Sequence, residues 1–400
     1  MDIIVQKYGG SSLAEDAKLC AVAHRIAETR RNGTGLVVVV SAMGNTTSRL
    51  LAHAGRLNAT PEHRELDMLL AAGEQKSASL LSLTLHDLGI EAVALTGAQA
   101  GVRTCNAHLN ARIRSVDPTR MRSEVAAGRV VVVAGFQGAG PTGDITTLGR
   151  GGSDTTAVAI AAAVGASRCE IYSDVDGVYT ADPRVVPEAS RLRMLSLTEM
   201  KTLAHHGSGV LNERAVDYAI EHGVTIHARR AHGDGGQTIV RTEQGTGGRT
   251  RIAGIATHGE LLRIDFTELA DRAALSELLD EYDSFAPELA LGGRGLYLLP
   301  TDQLADVPGL CAAIEARCGD GVRVHGTVAS VSAVGRQAGR DPSTLAFAQQ
   351  LLQAQDITVH HAFATEHAVT CLVAEEMRAT AAQTFHTGFR IADTGVADVA

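Results

Sequence analysis

Short apolar runs that end in turns rich in glycine, serine, threonine or aspartate recur through residues 1–245 of this chain. Runs at 3–5, 36–40, 130–134 and 171–172 have the length of strands, and the stretch 13–31 carries apolar residues at helical spacing. Continuous apolar runs are typical of strands buried on both faces, and their alternation with helices favours a parallel sheet. We therefore predict an α/β fold, in which a mostly parallel sheet is sandwiched by helices.

The pattern changes after the glycine-rich stretch 242–249. Beyond this linker, the sequence predicts strands at 252–255, 261–264 and 295–299 and helices at 269–282 and 307–317. From residue 327 onward, it predicts a further strand, helix, strand, strand and helix. We therefore predict three domains, of which the second and third are small α+β units, with limits 1–245, 251–325 and 326–400.

Charge and cysteine usage exclude several functional classes. The formal net charge is −9 and no run is rich in lysine or arginine, so we expect no nucleic-acid partner. No 18 consecutive residues are apolar and the start lacks the layout of a secretory signal, so we expect no membrane span. The six cysteines are scattered, as in a cytoplasmic protein with reduced thiols. The histidine pairs 205–206 and 360–361 lack a third ligand at a suitable spacing, so we predict no metal site.

Two glycine-containing clusters are suited to bind anions. The first, residues 7–12, places Lys7 before Gly9, Gly10 and Ser11, so that an ammonium group and backbone N–H groups can contact a phosphate. Lysines are scarce in this chain, and the other three are Lys18, Lys76 and Lys201.

The second cluster, residues 146–156, precedes a helix of small residues. Arg150 is suited to bidentate capture of a carboxylate. Gly151 and Gly152 precede Ser153, which we expect to be the helix N-cap, and Asp154 would lie in the first turn. Asp154 can be a structural capping residue, or it can orient a lysine beside a transferred phosphoryl group.

A third cluster, residues 173–184, contains two consecutive turns. Its aspartates can bind ribose hydroxyls, Tyr179 can stack on a base and Arg184 can reach a phosphate. Calcium is excluded, because Val185 stands where an EF-hand loop has its closing glutamate. The chain contains neither a P-loop motif nor the G-x-G-x-x-G motif of dinucleotide-binding domains.

Together with SAMGNTT (41–47), Gly73-Glu74 and GFQG (135–138), these clusters resemble the amino acid kinase family, and within it the aspartate kinases. The two small units then resemble the tandem ACT domains of that family, which are ferredoxin-like. The resemblance implies ATP and Mg²⁺ as cofactors, an amino acid as substrate and self-association through the ACT-like units. The reaction would convert ATP and aspartate to ADP and 4-phosphoaspartate.

The resemblance also implies a role for each matching residue. Lys7 would neutralise the transferred phosphoryl group, and Asp154 would hold the geometry of lysine and phosphate. Arg150 would bind the substrate α-carboxylate, while Ser41, Thr47 and Glu74 would complete the amino-acid site. The nucleotide would be bound by the two glycine loops and the third cluster, at Gly9, Gly10, Ser11, Gly151, Gly152, Ser153, Ser173, Asp174, Tyr179 and Arg184.

One segment departs from the pattern of aspartate kinases. Their segment GAKVLHPR is replaced by residues 207–214, so that Gly209 stands in place of a phosphate-binding lysine and Asn212-Glu213 in place of His-Pro. Arg214, Arg229 or Arg230 could compensate. The departure leaves two alternatives: an enzyme of the same fold that activates another small acid or transfers the adenylyl group of ATP, and a weakly catalytic regulatory subunit.

Overall fold

The computed structural model describes residues 2–233, 235–242, 251–281, 288–291, 294–301, 304, 306–318, 321–389 and 391. The chain divides into two compact units. Residues 1–178, 191–204 and 209–246 form the first unit, and residues 179–190, 205–208 and 247–400 form the second. The segment 179–190 therefore belongs to the second unit, although it lies within the predicted limits of the first domain.

The first unit is built on a mostly parallel sheet, as predicted. Its strands are β1 (Ile3–Tyr8), β2 (Gly35–Val40), β3 (Ala92–Leu95), β4 (Val102–Thr104), β5 (Ile113–Val116), β6 (Val130–Ala134), β7 (Gln137–Ala139), β8 (Ile145–Thr147), β9 (Arg168–Ser173), β10 (Met194–Ser196), β11 (Ile226–Arg230) and β12 (Gln237–Arg241). Its helices are α1 (Asp16–Arg31), α2 (Thr46–Leu57), α3 (His63–Asp87), α4 (Thr119–Ala126), α5 (Gly152–Val164), α6 (Leu197–His205) and α7 (Glu213–His222).

Among the described residues, eight strands form the main sheet in the order β10-β12-β11-β9-β1-β2-β6-β3. Every pair in it is parallel except β11 with β12. β2 and β6 are buried along their whole length, because valine-rich strands at the centre of a sheet are covered on both faces. β1 lies between β9 and β2, so the residues that follow it reach the middle of the carboxyl edge, where α/β proteins bind ligands. A smaller sheet has the order β5-β4-β7-β8.

The second unit is an antiparallel sheet covered by helices. Its elements are β13 (Arg251–Phe266), α8 (Leu269–Glu281), β14 (Glu288–Leu291), β15 (Arg294–Pro300), α9 (Val307–Arg317), β16 (Val322–Arg336), α10 (Pro342–Gln353), β17 (His361–Thr365), β18 (Ala368–Val373) and α11 (Arg378–Gly388). The strand order among the described residues is β14-β15-β13-β16-β18-β17. The predicted separate strands at 252–255 and 261–264 form the single strand β13, whose pairing with β16 contains register shifts.

Two hydrophobic cores that include helices share the long strands β13 and β16, and a third, smaller cluster also lies on these strands, at Leu261, Leu296, Leu298, Val328 and Leu372. One core joins the half of β13 after Leu262 to α8, β15 and α9, and the other joins Ile252 and Ile255 to α10, β18 and α11. The residues of the two cores thus interleave along the chain, and the limits 251–325 and 326–400 stay predictions. Two α+β cores beside an antiparallel sheet agree with the predicted ferredoxin-like character of this part.

Candidate functional site

The end of β1 and the start of α5 bring Lys7 and Asp154 together. The Lys7 Nζ lies 2.6 Å from the Asp154 Oδ1, and the two side chains are 11% and 12% exposed. Solvent screens a largely buried ion pair less than a surface pair, so its geometry is better maintained. Asp154 lies in the first turn of α5, where the helix dipole adds positive charge. An ammonium group beside a helix N-terminus is suited to bind and neutralise a phosphate.

The loop after β2 packs directly against the turn at Gly10. A Cβ on Gly10 would lie 2.6 Å from the carbonyl oxygen of Ala42, so only glycine permits this approach. The Ser41 N–H donates a hydrogen bond of 3.1 Å to the carbonyl of Tyr8, the last residue of β1. Ser41 and Thr47 are both half-buried, and Thr47 lies in the first turn of α2. These predicted substrate residues therefore lie at the same sheet edge as Lys7.

Glu74 is a buried carboxylate in the middle of α3. It is 3% exposed, and its Oε1 accepts a hydrogen bond of 3.0 Å from the Ala42 N–H. Its Oε2 has no hydrogen-bond partner among the residues that the structure describes. Burial raises the pKa of Glu74 to about 7. A buried acceptor without a donor is costly, so this oxygen is suited to receive a cationic group such as the ammonium of an amino acid.

Glycines in the left-handed conformation shape the loop before α5. Gly149 and Gly151 have φ values of 75° and 68°. Helix α5 begins at Gly152, and Gly151 is its N-cap, so the prediction that Ser153 caps the helix is wrong. Ser153 lies inside the first turn and packs against Gly135, where a Cβ would lie 3.0 Å from the Ser153 Cβ. The left-handed turn at Gly151 starts the helix earlier than the sequence pattern indicates.

The segment that departs from the aspartate kinase pattern contacts this loop. The Asn212 side chain caps α7 by accepting a hydrogen bond from the Arg214 N–H, and its Nδ2 donates to the Arg150 carbonyl at 3.3 Å. The Arg214 Nη1 donates to the Leu148 carbonyl at 3.2 Å. Arg150 itself is exposed. At Gly209, also exposed, a Cβ would meet no atom within 4 Å.

The end of β9 reaches the same edge as the end of β1. The Gly9 N–H donates a hydrogen bond of 3.3 Å to the Tyr172 carbonyl, which holds the glycine turn beside β9. Ser173 is the last residue of β9 and is half-buried, while Asp174 and Ser11 are exposed. The structure therefore brings Gly9, Ser173 and Asp174 to one part of the sheet edge in the first unit.

The last two predicted nucleotide residues lie in the second unit. Tyr179 and Arg184 belong to the segment 179–190 of that unit. Within the unit, the Thr180 hydroxyl forms a hydrogen bond of 2.9 Å with the His386 Nε2. The exposed Arg184 forms an ion pair of 2.7 Å with Asp182. The cluster 173–184 is thus divided between the two units after Val178, and the nucleotide-binding roles of Tyr179 and Arg184 stay predictions.

The sequence reasoning missed a fully buried carboxylate on α3. Asp67 is 0% exposed, and the His108 Nδ1 lies 2.6 Å from its Oδ2. Its Oδ1 accepts hydrogen bonds from the Leu109 N–H at 3.0 Å and from the Thr147 hydroxyl. The spacing of seven residues between Asp67 and Glu74, two helical turns, was the available signal, because it places both on one face of α3.

Two features, a metal site and a membrane-spanning helix, are absent from the described residues. Among the described residues, no three histidine, cysteine, aspartate or glutamate side chains are grouped so that they could hold a metal ion. In the same part of the chain, no helix is both long and apolar enough to cross a membrane. All six cysteines are unpaired thiols.

Comparison with known proteins identifies relatives along the whole chain. The sequence profile of the amino acid kinase family matches residues 2–229. An aspartokinase from Geobacillus stearothermophilus is 37% identical over 411 residues, covering 99% of this chain and 99% of the relative. An aspartokinase from Corynebacterium efficiens is 52% identical over 241 residues, which cover 60% of this chain and 57% of the relative.

The fold is also similar to solved structures. A crystal structure of E. coli aspartokinase III in complex with aspartate and ADP has a TM-score of 0.81 at 21% identity and covers 97% of this chain and 99% of that chain. An aspartate kinase from Clostridium acetobutylicum has a TM-score of 0.71 at 20% identity and covers 97% of this chain. These similarities confirm the predicted fold class, including the ACT-like character of the second unit.

Proposed function

Because the chain belongs to the amino acid kinase family, and within it to the aspartokinases, we propose that it transfers the γ-phosphoryl group of ATP to the side-chain carboxylate of L-aspartate. A carboxylate oxygen attacks the γ-phosphorus, the bond from that phosphorus to the bridging oxygen breaks, and ADP leaves with the electron pair. The products are ADP and 4-phospho-L-aspartate. The attacking carboxylate is already ionised at neutral pH, so the step needs no general base.

The observation that carries this proposal is the buried pair of Lys7 and Asp154 at the start of α5. Phosphoryl transfer depends mainly on positioning and on neutralisation of charge at the transferred group. Lys7 supplies a full positive charge, and Asp154 keeps its ammonium group in place. The N–H groups of the first turn of α5 add donors for phosphate oxygens.

Glu74 and Arg150 provide complementary charges for an α-amino acid. The unpaired Oε2 of Glu74 is suited to the substrate ammonium, and the Arg150 guanidinium to its α-carboxylate. The hydroxyls of Ser41 and Thr47 lie at the same sheet edge and complete the site. These two groups select an amino acid over a simple dicarboxylate, because only a substrate with an ammonium group pairs with Glu74 and favours its charged form.

The family implies Mg²⁺ with the nucleotide, and the donor set of this chain fits that requirement. Mg²⁺ at phosphoryl-transfer sites is usually held by one or two carboxylates together with substrate phosphates. Asp154 is a carboxylate beside Lys7 that fits the protein's share of such a set. When bound, the ion supplies further neutralisation of phosphate charge.

Arg214 is the arginine best placed to compensate for the lysine that is absent at position 209. Arg229 is bound to the buried Glu170 at 3.0 Å and stacks over the Tyr172 ring. Arg230 donates to the Asp174 carbonyl at 3.1 Å. Arg214 and Arg230 are both exposed, but Arg214 is the one anchored to the loop that precedes α5, through the Leu148 carbonyl.

Hydroxylamine trapping tests the proposal. The purified chain is incubated with ATP, Mg²⁺, aspartate and hydroxylamine, and both the hydroxamate and the nucleotide product are identified. We expect aspartyl hydroxamate and ADP. AMP with pyrophosphate would instead establish adenylyl transfer, and the absence of turnover with aspartate and other small amino acids would favour a regulatory subunit.

Substitutions test the assignment of the site. Lys7→Ala and Arg150→Ala are expected to lower kcat/KM by about 100-fold or more, because Lys7 neutralises the transferred phosphoryl group and Arg150 holds the substrate α-carboxylate. Lys201→Ala is the matched control, since Lys201 also pairs with an aspartate, Asp217 at 2.6 Å, but on the surface. Near-normal activity of both site variants would contradict the assignment.

We further propose that the chain self-associates through its second unit. The strands β14 and β17 form the edges of the antiparallel sheet there, and edge strands are common sites of pairing with another chain. Light scattering coupled to size-exclusion chromatography is expected to give a mass of at least two chains, and a monomer at all concentrations would contradict this. The cytoplasmic location stays a prediction.

A further inference from the structure

Asp67 is a buried carboxylate for which the proposed reaction provides no role. It lies on α3 two turns before Glu74, and the side chains of both residues are buried. Burying an isolated carboxylate is expensive, and an apolar residue of similar size would fill the space without that cost. The position of Asp67 therefore requires an explanation in terms of the groups that it binds.

The partners of Asp67 come from two separate segments. Its Oδ1 accepts hydrogen bonds from the hydroxyl of Thr147, the last residue of β8, and from the Leu109 N–H. The Leu109 backbone has a φ of 63°, an uncommon conformation for a leucine. The third partner is His108, whose Nδ1 lies 2.6 Å from the Asp67 Oδ2. The Asp67 carboxylate thus binds both the turn at Leu109 and the end of β8 to helix α3.

The strand end held by Asp67 leads directly into the loop of the site. Thr147 is followed by Leu148, Gly149 and Arg150, and α5 begins two residues later. The Thr147 carbonyl also accepts a hydrogen bond of 2.8 Å from the Ala111 N–H, which closes the turn at 108–111 onto β8. The loop that carries Arg150 therefore starts from a point fixed by α3.

We propose that Asp67 is a positioning residue that sets the distance between the two charges that bind the amino-acid substrate. Glu74 is fixed on α3, and Arg150 is attached to α3 through the bond between Thr147 and Asp67. A misplaced arginine loses bidentate contact with a carboxylate, because that contact depends on geometry. This inference rests on the proposed function, since it assigns Arg150 and Glu74 to the substrate.

The consequence is specific to one substrate. Loss of the hydrogen bond between Thr147 and Asp67 is expected to raise KM for aspartate. KM for ATP should stay within about twofold of the wild-type value, because Lys7 and the Gly9–Gly10 turn are held by other contacts. The hydrogen bond from the Leu109 N–H should remain when only the Thr147 hydroxyl is removed.

The test compares two neighbouring threonines of β8. Thr147→Val keeps the side-chain shape and removes the bond to Asp67, and it is expected to raise KM for aspartate about tenfold, the effect of losing one of the two hydrogen bonds from Arg150 to the substrate carboxylate. Thr146→Val is the matched control, because Thr146 is equally buried and its hydroxyl bonds to Thr104 at 2.5 Å instead. We expect this control to leave KM for aspartate within about twofold of the wild-type value.

Two further variants separate positioning from folding. Asp67→Ala is expected to raise KM for aspartate at least as much as Thr147→Val. Asp67→Asn retains an oxygen for Thr147 and Leu109 and should restore most of the affinity. If Asp67→Ala does not fold, Thr147→Val and Asp67→Asn still decide the question.

The outcomes distinguish the inference from the proposed function. A wild-type chain that forms no aspartyl phosphate overturns the proposed function, and this inference with it. An active wild type whose Thr147→Val variant keeps the KM for aspartate overturns the positioning role alone. Equal rises in KM for aspartate and ATP, or an equal effect of Thr146→Val, would assign Asp67 to general stability and also overturn it.

Discussion

Lys7 supplies an ammonium group at the end of β1, whereas Gly209 occupies the position at which aspartate kinases have a second lysine. The two positions differ in their surroundings. Lys7 is buried and paired with Asp154, while Gly209 is exposed and a side chain there would have free space. Lys7 is therefore held in place by packing, whereas position 209 can accept a larger side chain.

Restoring the lysine is expected to strengthen nucleotide binding. Gly209→Lys should lower KM for ATP about three- to fivefold, because one added charge near a polyphosphate contributes about 1 kcal/mol at an exposed site. Steady-state kinetics at varied ATP measures this effect. Gly209→Ala is the control, since it adds a Cβ without charge, and an equal change in both variants would contradict an electrostatic role.

The buried Glu74 predicts a dependence of stability on pH. Its pKa is about 7 in the folded chain and ordinarily 4.5, so the folded state binds more protons between these limits. The free energy of unfolding therefore falls as pH rises through this range, by about 3 kcal/mol in total. Glu74→Gln removes this titration, so the stability of the variant relative to the wild type should increase from pH 5 to pH 8.

Urea unfolding at several pH values measures this difference. Glu65→Gln is the control, because Glu65 lies on the same helix but is exposed, in a surface ion pair with Arg64. A stability difference between Glu74→Gln and the wild type that stays constant across this range would show that Glu74 is ionised throughout. The bound ammonium group of an amino acid should also favour the charged form, so KM for aspartate is expected to fall between pH 6 and pH 8 in the wild type.

At the scale of elements, helices α3 and α5 carry most of the proposed site. α3 places Asp67 and Glu74 on one buried face, and α5 presents Asp154 to β1. The loop between β8 and α5 depends on a left-handed turn at Gly151. Because that turn determines where α5 begins, it also determines where Asp154 meets Lys7.

Gly151→Ala is expected to damage both stability and activity. A Cβ there would collide with the Asn212 side chain, and φ at this residue is 68°. We expect a loss of about 1–3 kcal/mol in the free energy of unfolding and a fall of at least tenfold in kcat/KM. Gly143→Ala is the matched control, since its φ is 88° but a Cβ there meets no atom within 4 Å. Equal activity losses would show that backbone strain alone explains the effect.

At the scale of the whole molecule, the first unit contains the residues proposed to bind phosphate and aspartate, and the second contains Tyr179 and Arg184. The second unit has its own hydrophobic cores and its own sheet. The loop that follows Ser173 is therefore continuous with a separately packed unit.

Hydrogen exchange with and without ADP and Mg²⁺ can locate nucleotide binding in the intact chain. We expect protection in the segments 7–13 and 149–156, because bound phosphates engage backbone N–H groups there. Protection in 173–184 would additionally support the predicted roles of the third cluster. Unchanged exchange in 7–13 and 149–156 at saturating ADP would contradict the phosphate site.

The amino-acid sequence by itself predicted the parallel sheet and the placement of the polar loops at its carboxyl edge, and it supplied most of the charged residues of the proposed site. Continuous valine runs are typical of strands buried on both faces, and parallel strands place their carboxyl ends at one edge of the sheet. Local spacing was likewise sufficient to place Asp154 in the first turn of a helix. The patterns that predict these features lie in short stretches of the sequence, although the strands themselves pair across long separations, as β1 does with β9.

Only the tertiary structure decided which distant groups meet. The bond from Thr147 to Asp67, the packing of Ala42 on Gly10 and the contact of Asn212 with the Arg150 carbonyl join residues 80, 32 and 62 positions apart. The sequence also could not predict that segment 179–190 belongs to the second unit, because its apolar residues pack with the distant Ile252 and Phe385. Such contacts are selected by the packing of whole elements, which no local pattern encodes.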